Sequence, residues 1–195
     1  LISIFEKKFC KTYKFKYAAA LNSGTSAIHL GLKSIGVKKN DIVIVPSYTF
    51  AATANAIIYN NAEPWFFDCN LDLDLSLKLI EKEIKEKTFF KDNLLILKSN
   101  KKIIRAMIPV STFGKKLDFI KYNNFAKKYK LNILYDTAAC HDPKIFNFSK
   151  GNNMNFCFSF NGNKTLTTGA GGIFASNSKN TIARVRINAN VGKKY

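Results

Sequence analysis

Residues 41–69 read DIVIVPSYTFAATANAIIYNNAEPWFFDC, and three patterns follow one another along them. DIVIVP (41–46) is a short apolar run rich in β-branched residues and closed by proline, the pattern of a buried strand. AATANAIIYNN (51–61) reads as a helix and PWFFDC (64–69) as another strand. Two strands joined through a helix run parallel, because a parallel pair needs such a crossover.

The same alternation continues on both sides. SAIHLGLKSIG (26–36) has helical spacing at Ile28, Leu32 and Ile35, with Gly36 placed to stop it. LSLKLIEKEIKEK (75–87) is an amphipathic helix, IIRAMIPV (103–110) a strand, LDFIKYNNFAKKYK (117–130) a helix and NILYD (132–136) a strand. NFCFSF (155–160), GIFAS (172–176) and a closing helix from about 178 complete the set. Residues 88–102 are the least readable and are assigned a loop or an extra helical turn. The expectation is one α/β domain with a mainly parallel sheet sandwiched by helices.

Hydrophobic residues make up 47% of the 195, enough for a core, and no apolar run approaches a membrane span of roughly 20 residues. The formal charge is +18, from 31 Lys+Arg against 13 Asp+Glu. Such an excess fits a nucleic-acid partner or an anionic small substrate. The lysines are spread over apparently solvated helix faces, with no zinc-finger spacing or aromatic-interleaved RNA motif, which argues against nucleic acid. Four scattered cysteines without a C-x-x-C pair read as reduced thiols in the cytoplasm, and two histidines are too few for a multi-histidine metal site. The chain opens on Leu1 and closes as a helical pattern stops, so both ends read as cut and a fragment is expected.

Four segments of unusual chemistry fall at element ends, where open α/β sheets collect their ligands. NSGTSA (22–27) opens a helix: free N–H groups there favour an anion, Gly24 permits close approach, and Thr25 and Ser26 carry hydroxyls. An ordinary N-cap explains the same residues. Phe50, in PSYTF, offers a flat face for a ring, or belongs to the core. Asp136 ends NILYD, where it either caps a following turn or faces a cationic ring nitrogen. The last segment is FSFNGNKTLTTGAGG (158–172), which sets Lys164 apart from the other lysines, five positions after Ser159 and before Gly169, Gly171 and Gly172. An ordinary lysine amine is protonated at neutral pH and a poor nucleophile, but it condenses with aldehydes and exchanges with incoming amines. A phosphate turn, a stacking aromatic, a strand-end carboxylate and a sheltered lysine together are the parts needed to hold pyridoxal phosphate.

These motifs, with LNSGTSAIHLGLKSIGV, IPVSTFG and YDTAA, resemble the DegT/StrS group of sugar aminotransferases, enzymes of the aspartate-aminotransferase-like fold type I, from about Ala18 to Asn188. The resemblance implies that Lys164 bonds covalently to the cofactor and later moves the proton. It implies Asp136 on the pyridine nitrogen, Gly24, Thr25, Ser26 and Ser159 about the phosphate, and Phe50 on the ring. It implies a nucleotide-linked keto-sugar as substrate, with an amino acid, glutamate, as donor, in the making of surface glycans. FNGNK is the form in members acting on 4-keto-6-deoxy-N-acetylhexosamines, and a lysine in place of histidine separates transaminases from dehydratases. It further implies that residues 1–195 are the cofactor-binding large domain, lacking a short N-terminal segment and a C-terminal small domain, and that the full-length protein is a homodimer with shared sites. One departure stands out. Relatives often carry Gln, His or Glu three positions after the aspartate, where this chain has Ala139; His141, two further on, does not simply replace it. The rival reading is a pyridoxal-phosphate pocket kept for binding or regulation without turnover, on nucleic acid given the charge.

Overall fold

A computed structural model describes residues 1–146 and 154–190. In chain order the elements are α1 (Ile2–Tyr13), β1 (Tyr17–Leu21), α2 (Gly24–Ser34), β2 (Ile42–Pro46), α3 (Ala51–Ile58), β3 (Glu63–Phe67) and α4 (Leu77–Lys87). They continue as β4 (Thr88–Lys91), β5 (Leu94–Leu97), β6 (Ile103–Met107), α5 (Phe119–Lys128), β7 (Asn132–Ile133), β8 (Tyr135–Asp136), β9 (Asn155–Ser159), β10 (Gly172–Ser176) and α6 (Lys179–Ala189).

The run 132–136 holds the sheet together. Its first half, β7, pairs with β6, and its second half, β8, pairs with β9. The strand order is therefore β3-β2-β6-(β7, β8)-β9-β10-β1. The pairs β2–β3, β2–β6, β6–β7 and β8–β9 are parallel. β10 is the exception, antiparallel to both β1 and β9.

Side chains alternate across this sheet and divide the core into two layers. Ile42 and Ile44 of β2, Phe156 and Phe158 of β9, and Ile173 of β10 pack with Phe9 of α1, Ile80 and Ile84 of α4, and Phe119 and Tyr122 of α5. Val43, Val45, Cys157 and Phe174 face the other way, onto Ala27, Ile28 and Leu32 of α2, Ala56 and Ile57 of α3, and Ile182 and Val185 of α6. A strand buried on both faces has no polar side, which is why DIVIVP reads as a continuous apolar run.

Three features depart from the expectation. Residues 88–97 form a β-hairpin, not a loop or helical turn, and β5 adds antiparallel to the first half of β6. Its turn is Asp92-Asn93, both at positive φ (52° and 60°), which these short polar residues tolerate. α1 and β1 were not anticipated. Phe9 and Tyr13 dock α1 on the sheet, while Glu6 accepts from Ala20 N–H and pairs with Arg186 of α6 at 2.6 Å. Many lysines do sit on helix surfaces, some paired with glutamates, as Lys87 with Glu83 and Lys128 with Glu81.

Candidate active site

The parallel strands point their carboxyl ends at one edge, and the predicted residues other than Ser26 gather there. Asp136 ends β8 and is buried. Its backbone is fixed by its N–H on Pro109 carbonyl and its carbonyl on Ser111 N–H. Its side chain has two donors: Ala138 N–H on Oδ1 at 3.0 Å and Thr53 Oγ1 on Oδ2 at 2.7 Å. Burial raises its pKa, and the Thr53 and Ala138 hydrogen bonds and the charge of Lys164 act against that rise. The capping alternative is thus partly realised: Ala138 closes a local turn, but the other oxygen belongs to a helix from elsewhere in the chain.

Lys164 lies in the long connection between β9 and β10, a wide loop because antiparallel neighbours need no crossover helix. Phe160 closes its base, with its N–H on Gly171 carbonyl and its own carbonyl accepting from Thr168 N–H and Thr167 Oγ1. Lys164 N–H bonds back to Asn161 carbonyl and makes a turn. From 161 to 170 every residue is exposed except Lys164. The amine is drawn inward, with Nζ 5.8 Å from the centre of the Phe50 ring. Phe50 itself precedes α3 and is 74% exposed, so the core alternative does not hold.

Two lobes of one cleft meet at Lys164, Phe50, Asp136 and Ala138. The smaller, about 200 Å³, is polar and is lined further by Gly24, Thr25, Thr53, Ser159, Asn161 and Asn163. The larger, about 370 Å³, is walled by Tyr48, Thr49, Phe113 and Ala139. Ser23 caps α2 by accepting Ser26 N–H at 3.0 Å, leaving the Gly24 and Thr25 N–H groups at the helix start without an intrahelical acceptor. Packing alone already calls for glycine at position 24. A Cβ there would lie 2.7 Å from the Ser159 Cβ, so α2 meets the end of β9 only through glycine.

Ser26 is not brought to the cleft. One residue beyond Thr25, about 100° further round the helix, it lines a separate groove of about 850 Å³ with Leu1, Phe5 and His29, and its hydroxyl bonds Ser23. His141 also lies outside both lobes, its ring 5.4 Å from that of Phe160, and burial lowers its pKa. Thr49, Thr53, Asn161, Asn163 and Phe113 were missed. Thr53 carried one signal, a polar residue in the first turn of a helix beginning beside a strand end.

Residues 2–195 match the DegT/DnrJ/EryC1/StrS aminotransferase family. The chain belongs to that family. GDP-perosamine synthase of Escherichia coli O157:H7 is 34% identical over 185 residues, which are 94% of this chain and 46% of that protein. UDP-4-amino-4,6-dideoxy-N-acetyl-beta-L-altrosamine transaminase of Campylobacter jejuni is 30% identical, over 94% of this chain and 45% of its own length. Among solved structures, S. venezuelae DesV superposes with TM-score 0.84 at 26% identity, covering 100% of this chain and 49% of DesV. NtdA of Bacillus subtilis, with its bound cofactor PMP, gives 0.79 at 25% identity, covering 95% of this chain and 39% of NtdA. The fold is that of the fold-type-I aminotransferases, and the chain spans about half the length of the curated relatives it matches.

Proposed function

We propose that the protein containing this chain is a pyridoxal-phosphate-dependent transaminase that moves an amino group from glutamate to a nucleotide-linked keto-sugar. The observation that carries the reading is the cleft itself: one inward-drawn amine, Lys164, beside an uncovered aromatic face, Phe50, and a buried carboxylate, Asp136.

The donor set fits the cofactor. The N-terminus of α2 and the Thr25 hydroxyl present positive dipole and donors to a phosphate, with Ser159 and Asn161 on the facing side. Phe50 supports one face of a flat ring. Asp136 would supply the counter-charge for a ring nitrogen, and a buried carboxylate gains most from a cation brought against it. When bound, pyridoxal phosphate supplies an aldehyde carbon that captures amines and a ring that withdraws electrons. Lys164 Nζ is the only lysine amine lining the cleft among the described residues, so it is the group that would hold the cofactor covalently and serve as base and acid for the proton. Asp136 would supply the charge that keeps a ring nitrogen protonated. Ser26 supports from behind, through Ser23.

The larger lobe, with its aromatic walls and Thr49 hydroxyl, is the place for the sugar. The relatives named for GDP- and UDP-linked amino sugars support a nucleotide sugar as substrate; surface polysaccharide as its destination is part of the same proposal. Residues 1–195 are on this reading the cofactor-holding domain. Tyr48, Phe50 and Phe113, 49%, 74% and 81% exposed round the cleft, await cover from the rest of the protein and a second copy in a homodimer. The four unpaired cysteines suit the cytoplasm, and no helix among the described residues is long and apolar enough to cross a membrane.

The test is the visible absorbance of the full-length protein loaded with pyridoxal phosphate. Glutamate should abolish the band and a nucleotide keto-sugar restore it. A band that no amino acid discharges would favour a binding module without turnover.

A further inference from the structure

We infer that Thr53 and Thr49 are positioning residues for Asp136, linked in a one-way row of hydroxyls from the open lobe to the buried carboxylate. The inference rests on the proposed role of Asp136 toward the cofactor. Burial drives a carboxyl toward its neutral form, and a neutral Asp136 has no charge to offer a cationic ring. Something must hold it ionised before the cofactor arrives. Of its two hydrogen-bond donors, Ala138 N–H belongs to the next turn of its own chain. Thr53 is different, since it comes from the first turn of α3 and is itself buried.

A threonine hydroxyl has one proton. Thr53 spends it on Asp136 Oδ2 at 2.7 Å, so at its 2.9 Å contact with Thr49 Oγ1 it must be the acceptor. Thr49 donates, and its direction is thereby fixed. Both side chains are β-branched, with few χ1 positions open to them, so the row holds Asp136 Oδ2 in place. Thr49 lines the larger lobe beside Tyr48 and Phe113. The outer end of the row therefore lies where the sugar is placed, and its inner end on the carboxylate.

The experiment titrates pyridoxal phosphate into the full-length protein and into Thr53→Val, Thr53→Ser and Thr49→Val variants. Affinity is read by equilibrium dialysis and by the visible band of the bound cofactor. Losing one hydrogen bond to a charged group should raise the dissociation constant of Thr53→Val about 10- to 100-fold. Thr53→Ser should stay within about threefold of wild type, since the hydroxyl remains. Thr49→Val should cost less, and nothing more once Thr53 is Val or Asp136 is Ala, because the row is then already broken. Wild-type affinity in Thr53→Val would overturn the inference, as would a Ser variant as weak as the Val variant, which would mean packing alone. Should Thr53→Val fail to fold, additivity of Thr49→Val with Asp136→Ala would overturn it equally. A wild-type protein that binds no pyridoxal phosphate would sink the functional reading itself, and this inference with it.

Discussion

Gly24 and Ser159 touch where the start of α2 meets the end of β9, so closely that a Cβ on Gly24 would stand 2.7 Å from the Ser159 Cβ. Both residues line the polar lobe of the cleft, so this contact sets the distance between the helix N-terminus and the strand that leads to Lys164.

Gly24→Ala should therefore do two things at once. Forcing the junction apart should cost about 1–3 kcal/mol of stability, the usual range for overpacking. It should also weaken cofactor binding by misplacing the Thr25 donors. Chemical denaturation and a pyridoxal phosphate titration check the two effects; a variant with unchanged values in both would show that the junction yields freely.

Phe50→Ala should separate binding from folding. Phe50 is 74% exposed, with the Lys164 amine 5.8 Å from the centre of its ring. Removing it should change stability by no more than about 0.5 kcal/mol. An aromatic contact of about 0.5–1.5 kcal/mol predicts a several-fold weaker hold on the cofactor. Melting curves with and without pyridoxal phosphate would show the split.

Much of this was legible because the chemistry and the fold speak through the same residues. DIVIVP could be read as a buried strand since both its faces meet helices, and NILYD since it is the central strand. The direction of β10 was left open by the expectation of a mainly parallel sheet. Its signal was the absence of helical spacing between NFCFSF and GIFAS, which leaves no crossover helix for a parallel pair. The β4–β5 hairpin was hidden by a lysine-rich surround and a turn of Asp-Asn without glycine. At the site, Lys164 and Asp136 stand out in the sequence and share one cleft in the structure, while the residues that support them were not read. Thr53 lies 83 positions from Asp136, and only the sheet order brings the two together.

Asp136→Asn should trade function for stability. Because burial raises its folded pKa, the native state of the cofactor-free protein holds that proton more tightly than the unfolded chain. Its contribution is then favourable at low pH and is lost as pH rises from the unfolded value, about 3.9, through the folded one. The Asn variant has no such proton. Relative to wild type its cofactor-free stability should rise over that window and stay level above it, as denaturation at several pH values would show. Transamination by the loaded full-length variant should fall on the order of 100-fold or more, the scale for losing one preorganised electrostatic partner. Near-normal turnover would mean that the carboxylate faces something other than the ring nitrogen.

The central claim is that Lys164 is the residue to which the cofactor bonds. Full-length protein loaded with pyridoxal phosphate, reduced with borohydride and digested, should yield the label on the peptide containing NGNKTLTTGAGG, at Lys164. Lys164→Ala should still take up pyridoxal phosphate through Thr25, Phe50 and Asp136, but carry no label after reduction. A label fixed on any other lysine, or an equal label in the Ala variant, would contradict the account.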